Sequence, residues 1–455
     1  MFKKGTNVYD LQKLFSHLKK LTLNRNTQPE QVVTIEELIK LSQDYDGHKR
    51  ENAVLRLGMM GDPVAIPCLI IRVNDWVPHV RGAAVKALSK LMVDENVEAF
   101  IQCLPQVYHL QDCHRASHQD VIRQVETFLL TETNRGHLLA AVQSANSYVA
   151  RLCLNLVIEH QIVDAQTLLP MAFASKDVLV RAHAFRWSGV HYPQVLEKYY
   201  LSLLNDKFMP IRKASLKHLL MATYSAQVAE KGLVDRHSSV RELAVKHCLE
   251  NGNDVVAFYR EHLTKDSSTK AAIWGLGYLK CVDALDKIKF FYQHGAPSLR
   301  KQALNSLLKL DSHNSKAYLL NGLKDPSPSV CKEAARLIVK TRVYLNAKAL
   351  MDIICGSDHP HTARACVALS HQINKWERVV FLLMLMSNEQ VVSIFDERHI
   401  KSELANWGDD YNRSFIQPTQ AQIYEIRVLM AGVPATRFSE HFRSFAHALK
   451  TLGIH

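Results

Sequence analysis

A phrase that returns about every thirty residues constrains this 455-residue chain more than anything else in it. It reads Asp75-Trp-Val-Pro-His-Val80-Arg81-Gly-Ala-Ala84-Val85, then Asp206-Lys-Phe-Met-Pro-Ile211-Arg212-Lys-Ala-Ser215-Leu216. It returns as Asp235-Arg-His-Ser-Ser-Val240-Arg241-Glu-Leu-Ala244-Val245 and as Asp325-Pro-Ser-Pro-Ser-Val330-Cys331-Lys-Glu-Ala334-Ala335. Weaker copies centre on Arg50, Arg123, Arg151, Arg181, Lys270, Arg300 and Arg364. From Arg151 onward the anchors fall at 151, 181, 212, 241, 270, 300, 331 and 364, in steps of 29 to 33 residues. So small a drift over eight copies describes an array of like pieces, not the two to four domains that length alone suggests.

Each part of the phrase has a physical task. The Asp ends one helix and caps the next, since a carboxylate accepts the free N–H groups of a first turn. The Val or Ile and the Ala lie four residues apart, on one helical face, and the small Ala lets a neighbouring helix approach. Val85 and Leu88, Leu216 and Leu219, and Leu304 and Leu307 widen that apolar stripe. A second helix precedes each phrase, and Asp62-Pro63 marks one start, with the Asp as N-cap and the Pro at the first helical position. The repeating piece is therefore a helical hairpin that buries its apolar face only by stacking on its neighbours. Composition agrees: 17 Gly and 14 Pro are too few for the turns of an all-β chain this long.

The segment Asp44-x5-Arg50-x2-Ala53-x4-Gly58-x2-Gly61-Asp62-Pro63-x3-Pro67-x-Leu69-Ile70 resembles HEAT repeats, in the short bacterial form first recognised in phycobilisome lyases. The resemblance covers about residues 44–370. It implies an all-α, right-handed solenoid of about ten to eleven hairpins, with second helices lining the concave side. Proteins of this kind include scaffolds, chromophore lyases and a group of DNA glycosylases. The glycosylases set a catalytic Asp among groove aromatics; no Asp of this chain stands in that role, so no catalytic residue is carried over and no enzyme is expected.

The ends differ from the array. Residues 1–43 hold Leu11, Leu14, Phe15, Leu18 and Leu21 at helical spacing and read as an N-terminal cap. Residues 371–455 lack the phrase and read as a C-terminal helical cap or interaction extension, with a loop around Trp407-Gly408-Asp409-Asp410 and amphipathic segments on either side of Gly432-Val433-Pro434. Nine scattered cysteines with no CxxC suit a reducing compartment. No signal-peptide pattern follows Met1, and the longest apolar run, Val379 to Met386, is too short to span a bilayer. A cytoplasmic protein without a membrane partner is expected.

The net charge of +12 is concentrated. Residues 201–350 carry 24 Lys and Arg against 13 Asp and Glu, while the rest of the chain carries 32 against 31. Two basic columns contribute. The resemblance implies that the anchor arginines Arg81, Arg181, Arg212, Arg241 and Arg300 are structural, pairing with the repeat aspartates Asp75, Asp206, Asp235 and Asp325 and with carbonyls of adjacent copies. Five residues past the anchor stand Lys86, Arg186, Lys217, Lys246 and Arg336, and nine past it stand Lys90, Lys309 and Lys340. These offsets differ by four and share a face of the second helix that is not the apolar stripe. A one-signed strip focuses potential on acidic partners. The expected function is a non-enzymatic scaffold that binds an acidic protein surface or peptide within a larger complex; the alternative is a nucleic-acid-binding solenoid using the basic groove of residues 201–350. Trp274 occupies the stripe position of Val85 and belongs to the core. His109, Cys113, His114 and His118 form two i,i+4 pairs, the weak candidate for a metal in a chain otherwise expected to carry no metal and no cofactor.

Overall fold

The computed structural model describes residues 33–222, 225–394, 397–433, 443–450 and 453. Helices are its regular elements, and no strand occurs among the described residues. The N-terminal helix expected around Leu11–Leu21 lies outside them.

One hairpin shows how the sequence builds the rest. Asp46 accepts the amide of His48 at 2.9 Å and starts the helix Gly47–Met60. Gly61 ends it in the left-handed region at φ +69°, where a residue without Cβ is at ease. Asp62 then caps a short 3-10 turn, Pro63–Ala65, which runs into the buried helix Ile66–Val73. After the turn at Asp75 the chain enters Pro78–Leu91, whose Val80, Ala84 and Leu88 are buried. Burying one such large aliphatic side chain is worth about 1.5–3 kcal/mol. Gly58 lets Gly47–Met60 and Pro78–Leu91 come together, since a Cβ there would lie 2.6 Å from that of Ala87.

Packing divides the chain into two units, one up to Leu219 and one from Leu220. In the first, helical hairpins continue through Val97–His109, Gln119–Leu129, Arg135–Ala141, Ser147–Glu159, Ala165–Ala174 and Val178–His191 around one apolar core. In the second, the order is Ala226–Leu233, Ser238–Glu250, Val255–His262, Thr269–Tyr278, Leu285–His294, Pro297–Leu310, Ser315–Leu323, Pro328–Thr341, Ala347–Cys355 and Pro360–Leu369. It is completed by Lys375–Ser387, Glu389–Ile394, Glu397–Asp410, Gln420–Gly432 and Arg443–Lys450.

The apolar run at 379–386 lies in the helix Lys375–Ser387, where every residue of it but Met384 is buried. No helix among the described residues is long and apolar enough to cross a membrane. The loop expected around Trp407 is instead the end of the helix Glu397–Asp410. Trp407 is buried there, donates Nε1–H to the carbonyl of Lys375 at 2.9 Å, and meets Trp376 and Phe445 edge to face. The apolar contacts of one indole outweigh the turn tendency of Gly408-Asp409-Asp410.

Candidate interaction face

The anchor arginines form a directional ladder. Arg50 is bidentate to the carboxylate of Asp75 at 2.9 and 2.7 Å, Arg151 to Asp177 at 3.0 and 2.6 Å, Arg181 to Asp206 at 2.8 and 3.1 Å, and Arg300 to Asp325 at 2.8 and 2.7 Å. In each pair the Asp lies 25 or 26 residues ahead, in the next copy of the repeat. The same position also bonds carbonyls of its own lead-in turn: Arg50 to Asp44 and Tyr45, Arg181 to Ser175 and Lys176, Arg212 to Asp206 and Lys207. The resemblance to HEAT repeats implies carbonyls from adjacent copies. The geometry reverses this, with carbonyls from the arginine's own copy and the carboxylate from the next.

The aspartates do not all cap helices either. Asp75, Asp206, Asp235 and Asp325 accept the amide two residues on, at 2.9, 2.6, 2.7 and 2.8 Å, and so close the turn ahead of the helix. Asp177, set closer to its helix, is an N-cap that takes the amides of Leu179 and Val180. The Arg151 guanidinium holds the Asp177 carboxyl far below its ordinary range, against the opposing effect of burial. For Asp75, burial pushes upward, but Arg50, the Val77 amide and Arg72 outweigh it and the net shift is down.

Two of the anchor arginines Arg81, Arg181, Arg212, Arg241 and Arg300 depart from the ladder. Twenty-five residues past Arg81 the chain is still inside the helix Val97–His109, so no turn carboxylate is available there. Arg81 keeps its own carbonyls, those of Asp75 and Trp76. The irregular segment 113–118 folds back over the same turn. Arg115 donates to the carbonyl of Asn74 at 2.9 Å and lies 3.7 Å from the centre of the Trp76 ring, and His118 Nε2 is 3.1 Å from Asn74 Oδ1. The zinc spacing rests on a helix, where i,i+4 side chains share a face. Here the chain passes from Val97–His109 through a 3-10 turn, Leu110–Asp112, into irregular backbone. His118 is buried and bonded to Asn74, whereas His109 and His114 are exposed and Cys113 is half-buried. No three His, Cys, Asp or Glu side chains converge on a metal position among the described residues.

The second break is at Arg241. Asp266, 25 residues on, is exposed, and the Arg241 guanidinium instead sits 4.2 Å from the centre of the Trp274 ring. One Nη donates to the carbonyl of Asp235 at 2.6 Å, and Nε is buried without a hydrogen-bond partner. Burial, the largest influence, lowers the Arg241 pKa from its ordinary value. Trp274 is buried as its stripe position required, but its ring also serves as the arginine's partner.

The second basic column lies outside this ladder. Lys86, Lys90, Arg186, Lys217, Lys246, Lys309, Arg336 and Lys340 are all exposed. Their surroundings differ. Arg336 is bidentate to Glu333 of its own helix at 2.9 and 2.6 Å, and Asn305 also donates to that carboxylate at 2.8 Å. Lys246 is 3.7 Å from Glu250, one turn along its helix. Both pairs are legible in the sequence, at spacings of three and four. Lys309 is different: its ammonium lies 5.7 Å from the centre of the Tyr278 ring, which stacks on Trp274 at 4.9 Å and 15°. Partial burial pushes its pKa down; Glu242 opposes that shift and Lys340 adds to it.

These features define a class, an all-α array of stacked helical hairpins pinned by arginine–aspartate pairs. Within it, a family model described as HEAT repeats matches residues 35–127. No curated protein matches the chain. Among solved structures, 12% of residues are identical to a chain of the Kap95p–RanGDP complex, with 98% of this chain and 67% of that one covered and a TM-score of 0.34. A mutant form of Kap121p gives 13% identity over 98% of this chain, which spans 50% of that one, and a TM-score of 0.26. A homology model of the full-length AP-3 complex gives 12% identity, 97% and 100% coverage, and a TM-score of 0.21.

Proposed function

We propose that this protein is a non-enzymatic scaffold or adaptor that binds a protein partner through the basic face of its second helices, as part of a larger complex. The observation that carries this is a division of labour among its cations. The anchor arginines are consumed by turn carbonyls, repeat carboxylates and one indole face, whereas all eight column residues, five or nine past the anchor, are exposed. An acidic surface or peptide is the complementary partner. Glu242, Glu250 and Glu333 stand among the column residues of residues 201–350. Such interspersed carboxylates suit discrete acidic side chains better than a phosphate backbone, whose closely spaced charges they would repel. The test is affinity capture at low salt with the full-length protein and with a variant carrying Lys217→Glu, Lys246→Glu, Lys309→Glu and Lys340→Glu. The expected result is a stoichiometric acidic protein that the variant fails to retain while its circular dichroism is unchanged. Retention of the same partner by the variant defeats the reading.

A further inference from the structure

Within the second unit, three successive second helices lie side by side. Gly277 of Thr269–Tyr278 abuts Ser306 of Pro297–Leu310, and Asn305 of the latter bonds Glu333 of Pro328–Thr341. From beneath this surface a continuous stack runs outward: the Arg241 guanidinium on Trp274, Trp274 on Tyr278, and the Lys309 ammonium over Tyr278. It begins at a buried guanidinium with an unpartnered Nε and ends at an exposed lysine.

The end of the stack has an unusual electrostatic property. A surface lysine is normally either solvated and mobile or held by a carboxylate that cancels its charge. Lys246 and Arg336 are cations of the second kind, held by Glu250 and Glu333. Lys309 is held by a ring face, which restrains the ammonium but leaves its charge uncancelled. Lys340 stands at the same offset on the adjoining second helix, Glu242 acts on Lys309 in the opposite sense, and neither lysine makes an ion pair among the described residues. Two like charges on adjoining helices, only partly offset by Glu242 and one of them restrained in advance, favour an incoming anion, because less side-chain entropy remains to be lost on binding.

We infer that Lys309 and Lys340, on the floor formed by Trp274 and Tyr278, are an anchoring subsite for the side-chain carboxylates of an acidic peptide segment. This rests on the scaffold reading above and assigns that face a centre. Tyr278, 42% exposed, adds a hydroxyl at the rim. The carboxylates of this surface, Glu242 and Glu250, set a limit on the occupant, which must bring charge at discrete points.

The probe is a rhodamine-labelled octaglutamate peptide, titrated by fluorescence anisotropy against the full-length protein at low salt, with octaserine and octathymidylate as comparisons. Octaglutamate is expected to bind saturably and octaserine not to bind. Lys309→Gln with Lys340→Gln should weaken the affinity at least tenfold. Tyr278→Leu, which keeps bulk and removes the ring, should weaken it about threefold, while Lys246→Gln and Arg336→Gln should stay within twofold of wild type. Equal losses from all the basic substitutions would overturn the subsite and leave the wider basic face standing. No saturable octaglutamate binding by the wild type would sink both. Tighter binding of octathymidylate, lost in the same Lys309 and Lys340 variant, would replace the peptide with a nucleic acid as occupant.

Discussion

Arg50 and Arg241 hold the same position of the repeat and are neutralised in opposite ways. Arg50 reaches forward to the carboxylate of Asp75, deep in the first unit, and Arg72 converges on the same group at 2.9 Å. Arg241 lies against Trp274 with one nitrogen unpartnered. In both copies a carbonyl of the lead-in turn takes an Nη proton. In both copies a guanidinium meets the turn carbonyls, and its remaining side accepts either an anion or a π face; where Cys331 stands at the anchor, His361 Nε2 is 2.8 Å from the Asp325 carbonyl instead.

The largest effect should come from removing the shared carboxylate. Asp75→Ala leaves two arginines facing a vacated, buried position and should cost about 3–5 kcal/mol in chemical unfolding, as breaking a buried pair does. A loss below about 1 kcal/mol would mean that the ladder orders the array without stabilising it. Next come Ala84→Leu and Ala244→Leu, one beside an anchor with only its own carbonyls and one beside the indole-backed anchor. Both alanines are fully buried, and each change should overpack a helix contact at a cost of roughly 1–3 kcal/mol. Similar losses would show that the helix contact is independent of how the arginine is neutralised. Arg241→Leu should change stability by less than about 1 kcal/mol, because an apolar side chain on Trp274 relieves the burial of a charge. A loss as large as that from Asp75→Ala would show that the indole is as good a partner as the carboxylate.

Acid should separate the two kinds of copy as well. The Asp177 carboxyl is depressed in the folded state, so it contributes stability above the unfolded carboxyl value of about 3.9 and loses it as the pH falls through the lower folded value. Melting temperatures between about pH 6 and pH 2 should therefore fall less steeply for Asp177→Asn than for wild type. Arg241→Leu should leave that slope unchanged, since its partner is a ring that does not titrate.

The array itself was legible because its signal is periodic: the thirty-residue step, the Val–Ala stripe and the Asp62-Pro63 start each reappear as packed helices. The pairing direction was not. Arg50 has Asp44 six residues behind it and Asp75 25 ahead, and only the stacking offset between copies chooses the one ahead. The stripe position of Trp274 places it in the core, yet a pattern of apolar positions does not reveal which face of a ring is left for a neighbouring cation. The histidine cluster fails for a local reason: four-residue spacing reads as helical, but the stretch turns and folds back over Asn74. Lys309 stands in the basic column by sequence alone, but its support by Tyr278 depends on two helices whose approach is set by Gly277 against Ser306.

The forward reach of the ladder makes the array unequal at its two sides. A copy stripped from the carboxyl-terminal side takes with it the anion that satisfied the arginine before it, leaving a once-paired cation exposed to solvent. A copy stripped from the amino-terminal side leaves a carboxylate that is still held by the amide two residues on. Progressive shortening should therefore be asymmetric, like unbuttoning a coat that opens only from the bottom. Fragments ending just past Arg50, Arg181 or Arg300 should aggregate or be degraded, whereas fragments beginning just before Asp75 or Asp325 should keep a sound first turn.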